Sequence, residues 1–202
     1  GPYMLKSREP DVKTVYVENP NWWYKNQKKG NVTEIVYTPI KQNATRTAAL
    51  LSGEVDFVLD PPAQDLDRLR KQAKVVDGNE YRTIYIAMDM GSPELKYSNI
   101  KGKNPFADLR VREALYRAID IEAIKKAVMR GESLPTGTMI APQVNGWTDE
   151  LGKRIPYDPV KARELLKAAG YDNNLEFTLD CQNNRYINDE AICQAIVAMW
   201  AK

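Results

Sequence analysis

Leu175-Glu-Phe-Thr-Leu-Asp-Cys181-Gln-Asn-Asn-Arg-Tyr-Ile-Asn188-Asp-Glu-Ala-Ile-Cys193-Gln-Ala-Ile196 holds a strand, a turn and the opening of a helix in one stretch. Leu175, Phe177 and Leu179 alternate with polar residues, the period of a half-buried strand. Asn188 stands where a helix N-cap belongs. Asp189 and Glu190 follow in a first turn whose positive dipole end favours carboxylates. Strand followed by helix is the unit from which α/β folds are built.

Working outward, the segment before it predicts another helix. Asp158-Pro159 sets an N-cap carboxylate ahead of a proline at the first helical position. Leu165, Leu166 and Ala169 supply its buried face, and Gly170 ends it. Glu132 to Tyr157 is rich in Gly and Pro and predicts irregular backbone over the surface. Val111, Ala114, Leu115, Ala118 and Ile119 recur at helical spacing. Asp120 then caps a helix with Ile121, Ile124 and Val128 inward and Gly131 at its end.

The first part of the chain reads mainly as strands. Lys13–Val17, Val32–Tyr37, Val55–Leu59 and Arg82–Met88 are rich in β-branched and aromatic residues. Asp60-Pro61-Pro62 ends the third of these, because proline cannot extend a ladder. Two short helices interrupt the strands, one from Ala44 to Ser52 with Asn43 as cap and Gly53 as stop, one from Asp65 to Lys71. The turn Asn19-Pro-Asn-Trp-Trp-Tyr24 carries an aromatic cluster; Trp22 and Trp23 either pack on the strands, the expected outcome, or contact a ligand. Gly91 to Asn104 has no periodicity. The expected organisation is a strand-rich part over 1–88, a linker over 89–104 and a helix-rich part over 105–202.

Composition excludes several classes. The 202 residues suffice for one good core or two small lobes. Lysine and arginine number 29 against 27 aspartates and glutamates, and they are scattered, as in Lys25/Lys28/Lys29 and Arg68/Arg70/Lys71. Nucleic-acid binding needs a concentrated basic face, which is absent. There is no histidine, which removes the commonest general base, the commonest metal ligand and every imidazole triad. Two cysteines do not make a zinc site. No apolar run approaches the roughly 20 residues of a membrane span.

Several motifs, in one order along the chain, carry a resemblance. They are Gly1-Pro2-Tyr3-Met4-Leu5, Asn19-Pro20-Asn21-Trp22-Trp23, Ala44-Thr45-Arg46 and Leu50-Leu51-Ser52-Gly53-Glu54-Val55-Asp56. Asn104-Pro105-Phe106 through Leu115, Tyr157-Asp158-Pro159 through Tyr171, and the opening stretch complete the set. Together they resemble the extracellular solute-binding proteins of ABC importers, in the oligopeptide- and dipeptide-binding class. Gly1-Pro2 reads either as the start of that pattern or as a cloning scar. The chain stops at Met199-Trp-Ala-Lys202, inside a predicted helix, so it is expected to be a piece of such a receptor.

The resemblance implies an α/β fold, part of a two-lobed periplasmic-binding-protein-like architecture (type II, peptide-binding class), truncated. Residues up to about Arg82 then belong to one lobe, Arg82–Met88 crosses the hinge, and residues from about Asn104 belong to the other. Such receptors hold an extended peptide between the lobes by main-chain hydrogen bonds and water-filled pockets, and deliver it to membrane permease subunits. No cofactor, metal or nucleic acid is implied, and the location is periplasmic or extracellular at the membrane. Asp60, Pro61, Tyr85 and Asp89 are the expected ligand-facing residues. Asp89 stands where the family usually has asparagine. Asp60 also reads as a turn cap, and Tyr85 as a core residue of a strand.

Cys181 and Cys193 read either as two buried thiols or as a disulfide, and the exported location implied by the resemblance favours the disulfide. Other solutes of the family (nickel complexes, opines, sugars) remain alternatives to peptides. A hydrolase built on Asp56 with Asp60, or Asp180 with Asp189, is the competing enzyme reading, set against the usual role of such aspartates as caps. A truncated lobe exposes sheet edges, so a dimer of the fragment is also an expectation left open.

Overall fold

A computed structural model describes residues 1–183 and 185–202. The chain divides into two compact units, Gly1–Pro61 and Pro62–Lys202. The division falls ahead of the 89–104 stretch, which is folded into the second unit.

The first unit is an antiparallel three-stranded sheet in the order β1 (Tyr3–Glu9), β2 (Lys13–Glu18), β3 (Glu34–Tyr37), followed by helix α1 (Asn43–Ser52). The hairpin between β1 and β2 turns through Asp11 at φ 59°, with the Val12 amide donating to Glu9 O. Tyr3 pairs with Glu18 and Glu9 with Lys13, and the register shifts between Leu5 and Ser7. Sequence pattern predicts β2 and β3 but not β1. Lys6, Ser7, Arg8 and Glu9 break its apolar alternation, and the strand forms because β2 supplies a ladder. Helix α1 ends as expected on Gly53, at φ +78°. Gln42 rather than Asn43 is its N-terminal flanking residue, because Asn43 is already helical and its Oδ1 accepts from Arg46.

The expected strand Val55–Leu59 does not form: no strand of the described sheet pairs with it. Its residues stay irregular, and Phe57 is 74% exposed. A strand is a set of hydrogen bonds to a neighbour, so propensity alone cannot make one.

The second unit opens with α2 (Leu66–Leu69), whose Leu66 and Leu69 are buried. Arg82–Met88 also lacks the predicted ladder. Its alternation survives in packing, since Ile86 and Met88 lie against the core while Tyr85 and Ala87 are exposed. Helix α3 (Leu109–Arg117) buries Val111, Ala114 and Leu115, the predicted face, and Asp108 caps it by accepting from the Arg110 amide. Asp120 caps α4 (Ile121–Ala123), which continues as a π-helical turn Ile124–Val128. A short α5 (Asp149–Gly152) interrupts the irregular 132–157 stretch. Helix α6 (Pro159–Ala168) is capped by Asp158 and packs on α3, while α7 spans Asp189–Trp200.

Two apolar clusters hold this unit. One gathers Leu95, Phe106, Val111, Leu115 and Tyr171, and the other Ile124, Met129 and Ile196. Trp200 packs against both, and its Nε1 donates to Leu115 O at 2.9 Å. Leu175–Leu179 has a single bridge, Phe177 to Ser98, flanked by Asn99 N to Glu176 O and Thr178 N to Tyr97 O. Its partner therefore comes from the stretch that sequence reads as a linker.

Candidate functional site

Asp60 and Pro61 close the first unit, whereas Tyr85 and Asp89 lie in the second. Asp60 is left-handed at φ 50°, a conformation aspartate tolerates better than most residues. Its carbonyl accepts from Arg46 Nη2 at 3.1 Å. The same guanidinium donates to Ile40 O at 2.9 Å and Asn43 Oδ1 at 2.8 Å. Sequence does not single out Arg46 as a site residue; its signal there is membership of the Ala44-Thr45-Arg46 motif.

Tyr85 is 59% exposed, so the core reading of this residue fails. Asp89 Oδ1 accepts from the Gly91 amide at 3.1 Å and the Ser92 amide at 3.0 Å. Hydrogen bonds from Ser92, side chain first and then amide, with a smaller share from Gly91, hold this carboxyl below the usual range. Asn104 completes the knot. Its Nδ2 donates to Asp89 O and Ser92 O, and its Oδ1 accepts from the Phe106 amide. An asparagine ahead of proline at a helix start is a legible cap, though not one that announces the long-range bond to Asp89.

In the aromatic turn, Trp23 is 85% exposed and meets the Tyr24 ring at a tilt, with centroids 4.8 Å apart, so packing on the strands is not its role. Trp22 is half-buried and meets Tyr24 edge-on at 5.9 Å.

Cys181 and Cys193 form a disulfide, with Cα atoms 6.4 Å apart. Beside it, Leu179, Val197, Ala198 and Ala201 help line a shallow groove of about 400 Å³. Of the carboxylates offered for an enzyme, Asp189 is occupied by backbone amides. It accepts from the Arg185, Tyr186 and Glu190 amides. Among the described residues no group of three or more Cys, Asp or Glu side chains is arranged to hold a metal, and no helix is long and apolar enough to cross a membrane.

A family model described as "Bacterial extracellular solute-binding proteins, family 5 Middle" matches residues 1–202. The heme-binding protein A of Haemophilus influenzae is 30% identical over 100% of this chain and 35% of its own length. A dipeptide-binding protein of Pseudomonas aeruginosa is 31% identical over 100% of this chain and 36% of its own. The structure of the periplasmic binding protein DppA from Helicobacter pylori, in complex with the peptide STSA, superposes with a TM-score of 0.69 at 24% identity. It covers 100% of this chain and 37% of that one. This chain thus spans about a third of the length of the curated relatives it matches, and its fold is a part of their two-lobed α/β architecture.

Proposed function

The chain belongs to the bacterial extracellular solute-binding proteins, family 5, and from that premise we propose that it is a segment of a peptide receptor serving an ABC importer. The end-to-end family match carries the reading. The Pseudomonas aeruginosa relative, named for a dipeptide, supplies the ligand class. In the whole receptor the bound peptide passes to membrane permease subunits. The disulfide supports residence in an oxidising, periplasmic compartment.

Within this reading residues 1–88 contribute to one lobe, with Arg82–Met88 crossing toward the other, 89–104 is the connecting stretch, and 105–202 contributes to the second lobe. Asp60, Pro61 and Tyr85 face the ligand. Asp89 contributes by closing the loop that follows Tyr85, since its carboxylate already holds two backbone amides. The role is binding and delivery, without chemistry on the solute.

Calorimetry tests the proposal. The peptide Ser-Thr-Ser-Ala, a dipeptide and heme are titrated into this chain and into the longest natural chain that carries it. Heat from the peptides with the longer chain is the expected result. Heat from heme alone moves the ligand to the class named for the Haemophilus influenzae relative, and heat from none removes the peptide reading.

A further inference from the structure

We infer that Arg46 is the positioning residue of the Asp60–Pro61 end of the ligand site, holding Asp60 in its left-handed conformation by a bond to its carbonyl. The inference rests on the peptide-receptor reading for its link to a ligand, and on geometry within the first unit for the rest.

Three observations meet at this residue. The guanidinium reaches three acceptors on three pieces of chain: Ile40 O before α1, Asn43 Oδ1 in its first turn, and Asp60 O, fourteen residues beyond Arg46 itself. Its Nε is buried and makes no hydrogen bond among the described residues, a cost that a residue kept only to staple a helix end need not bear. Asp60 is one of few non-glycine residues at positive φ, a conformation that persists where the surroundings over-determine it. The segment it ends forms no ladder, so β-sheet hydrogen bonds do not hold Asp60.

The Asp60 carboxylate, unlike that of Asp89, is not spent on its own turn: among the described residues it takes no hydrogen bond or ion pair. An uncommitted carboxylate on a backbone fixed from behind is suited to meet a cationic or amide group of a peptide. Arginine is needed at 46 because its planar fork spans several acceptors at once, whereas the ammonium of lysine is a point charge.

The test compares the longest natural chain carrying this sequence with its Arg46→Lys, Arg46→Gln and Asn43→Ala variants. Amide hydrogen exchange of residues 55–60 reports positioning, and calorimetry with Ser-Thr-Ser-Ala reports binding. Arg46→Lys is expected to speed exchange at 55–60, leave β1–β3 protected, and weaken the peptide by roughly tenfold, as loss of a charged hydrogen bond would. Asn43→Ala, which removes only the contact at the helix start, is expected to bind as the parent does.

Unchanged exchange at 55–60 overturns the inference, as does faster exchange with undiminished binding. Equal weakening by Asn43→Ala overturns it too, because the effect then lies in α1. If Arg46→Lys does not fold, Arg46→Gln, which keeps a two-hydrogen donor, is read in the same way. If the parent binds no peptide, the receptor reading has failed, and exchange alone then decides whether Arg46 holds Asp60.

Discussion

Asn188 Nδ2 donates to Val128 O at 2.8 Å, so the residue placed to cap α7 instead ties it to the end of the π-helical turn before Met129. Asn188 is itself left-handed at φ 55° and makes no side-chain capping bond. Asp189, the first residue of α7, ties the preceding turn to the helix: its Oδ1 accepts from the Glu190 amide and its Oδ2 from the Arg185 and Tyr186 amides.

Asn188→Ala loses a part-buried hydrogen bond and puts alanine in a left-handed region that asparagine tolerates better. A loss of roughly 1–3 kcal/mol is expected in denaturant unfolding. Asn188→Gly keeps the φ and loses only the bond, so it is expected to be the milder of the two.

The disulfide closes a loop with a sequence separation of 12. Replacing Cys181 and Cys193 together by alanine is expected to destabilise the second unit by roughly 3 kcal/mol on the chain-entropy argument. A thiol count in denaturant, zero before reduction and two after, checks the bond itself. A melting temperature indifferent to reductant would show that the cross-link constrains nothing the fold needs.

Asp89, Glu94 and Asp108 are held below the ordinary carboxyl range, Asp89 by hydrogen bonds from Ser92, Glu94 by the Gly102 amide, Asp108 by the Arg110 guanidinium. A depressed folded value means the stabilisation is fully present above the unfolded value, near pH 4, and is lost as pH falls through the folded one. The melting temperature is therefore expected to be flat above about pH 5 and to fall below about pH 4. In Asp89→Asn, part of that acid slope disappears.

A β-carbon on Gly137 would lie 2.2 Å from Lys153 O, a backbone atom with no room to yield. The Gly137 amide also donates to Gly152 O, which locks the two strands of loop together. Gly137→Ala is expected to cost roughly 1–3 kcal/mol by overpacking. Gly78→Ala, with open space around it, serves as the control and is expected to change stability little.

Leu115 of α3 is buried in the cluster against which Trp200 packs, whereas Leu109 on the same helix is 65% exposed. Leu115→Ala is expected to lose about 2–5 kcal/mol, and Leu109→Ala a small fraction of that. Parallel thermal melts of the two variants decide it.

Sequence alone determined what depends on neighbours a few residues away. The caps Asp120 and Asp158, the stops Gly53 and Gly170, and the buried stripe Val111–Ala114–Leu115 are local hydrogen bonds and helical spacing, legible without a partner. The ordered motifs determined the family, and the two cysteines, read in its light, the cross-link. Only the tertiary structure decided where strands have mates. β1 formed against its polar pattern because β2 lay beside it. Val55–Leu59 and Arg82–Met88 did not form despite theirs, and residues 97–99 proved to be the partner of 176–178. The same holds for Arg46 on Asp60 and Asn104 on Asp89. A hydrogen bond between distant segments is set by which chain the core brings near, and no window of sequence contains that information.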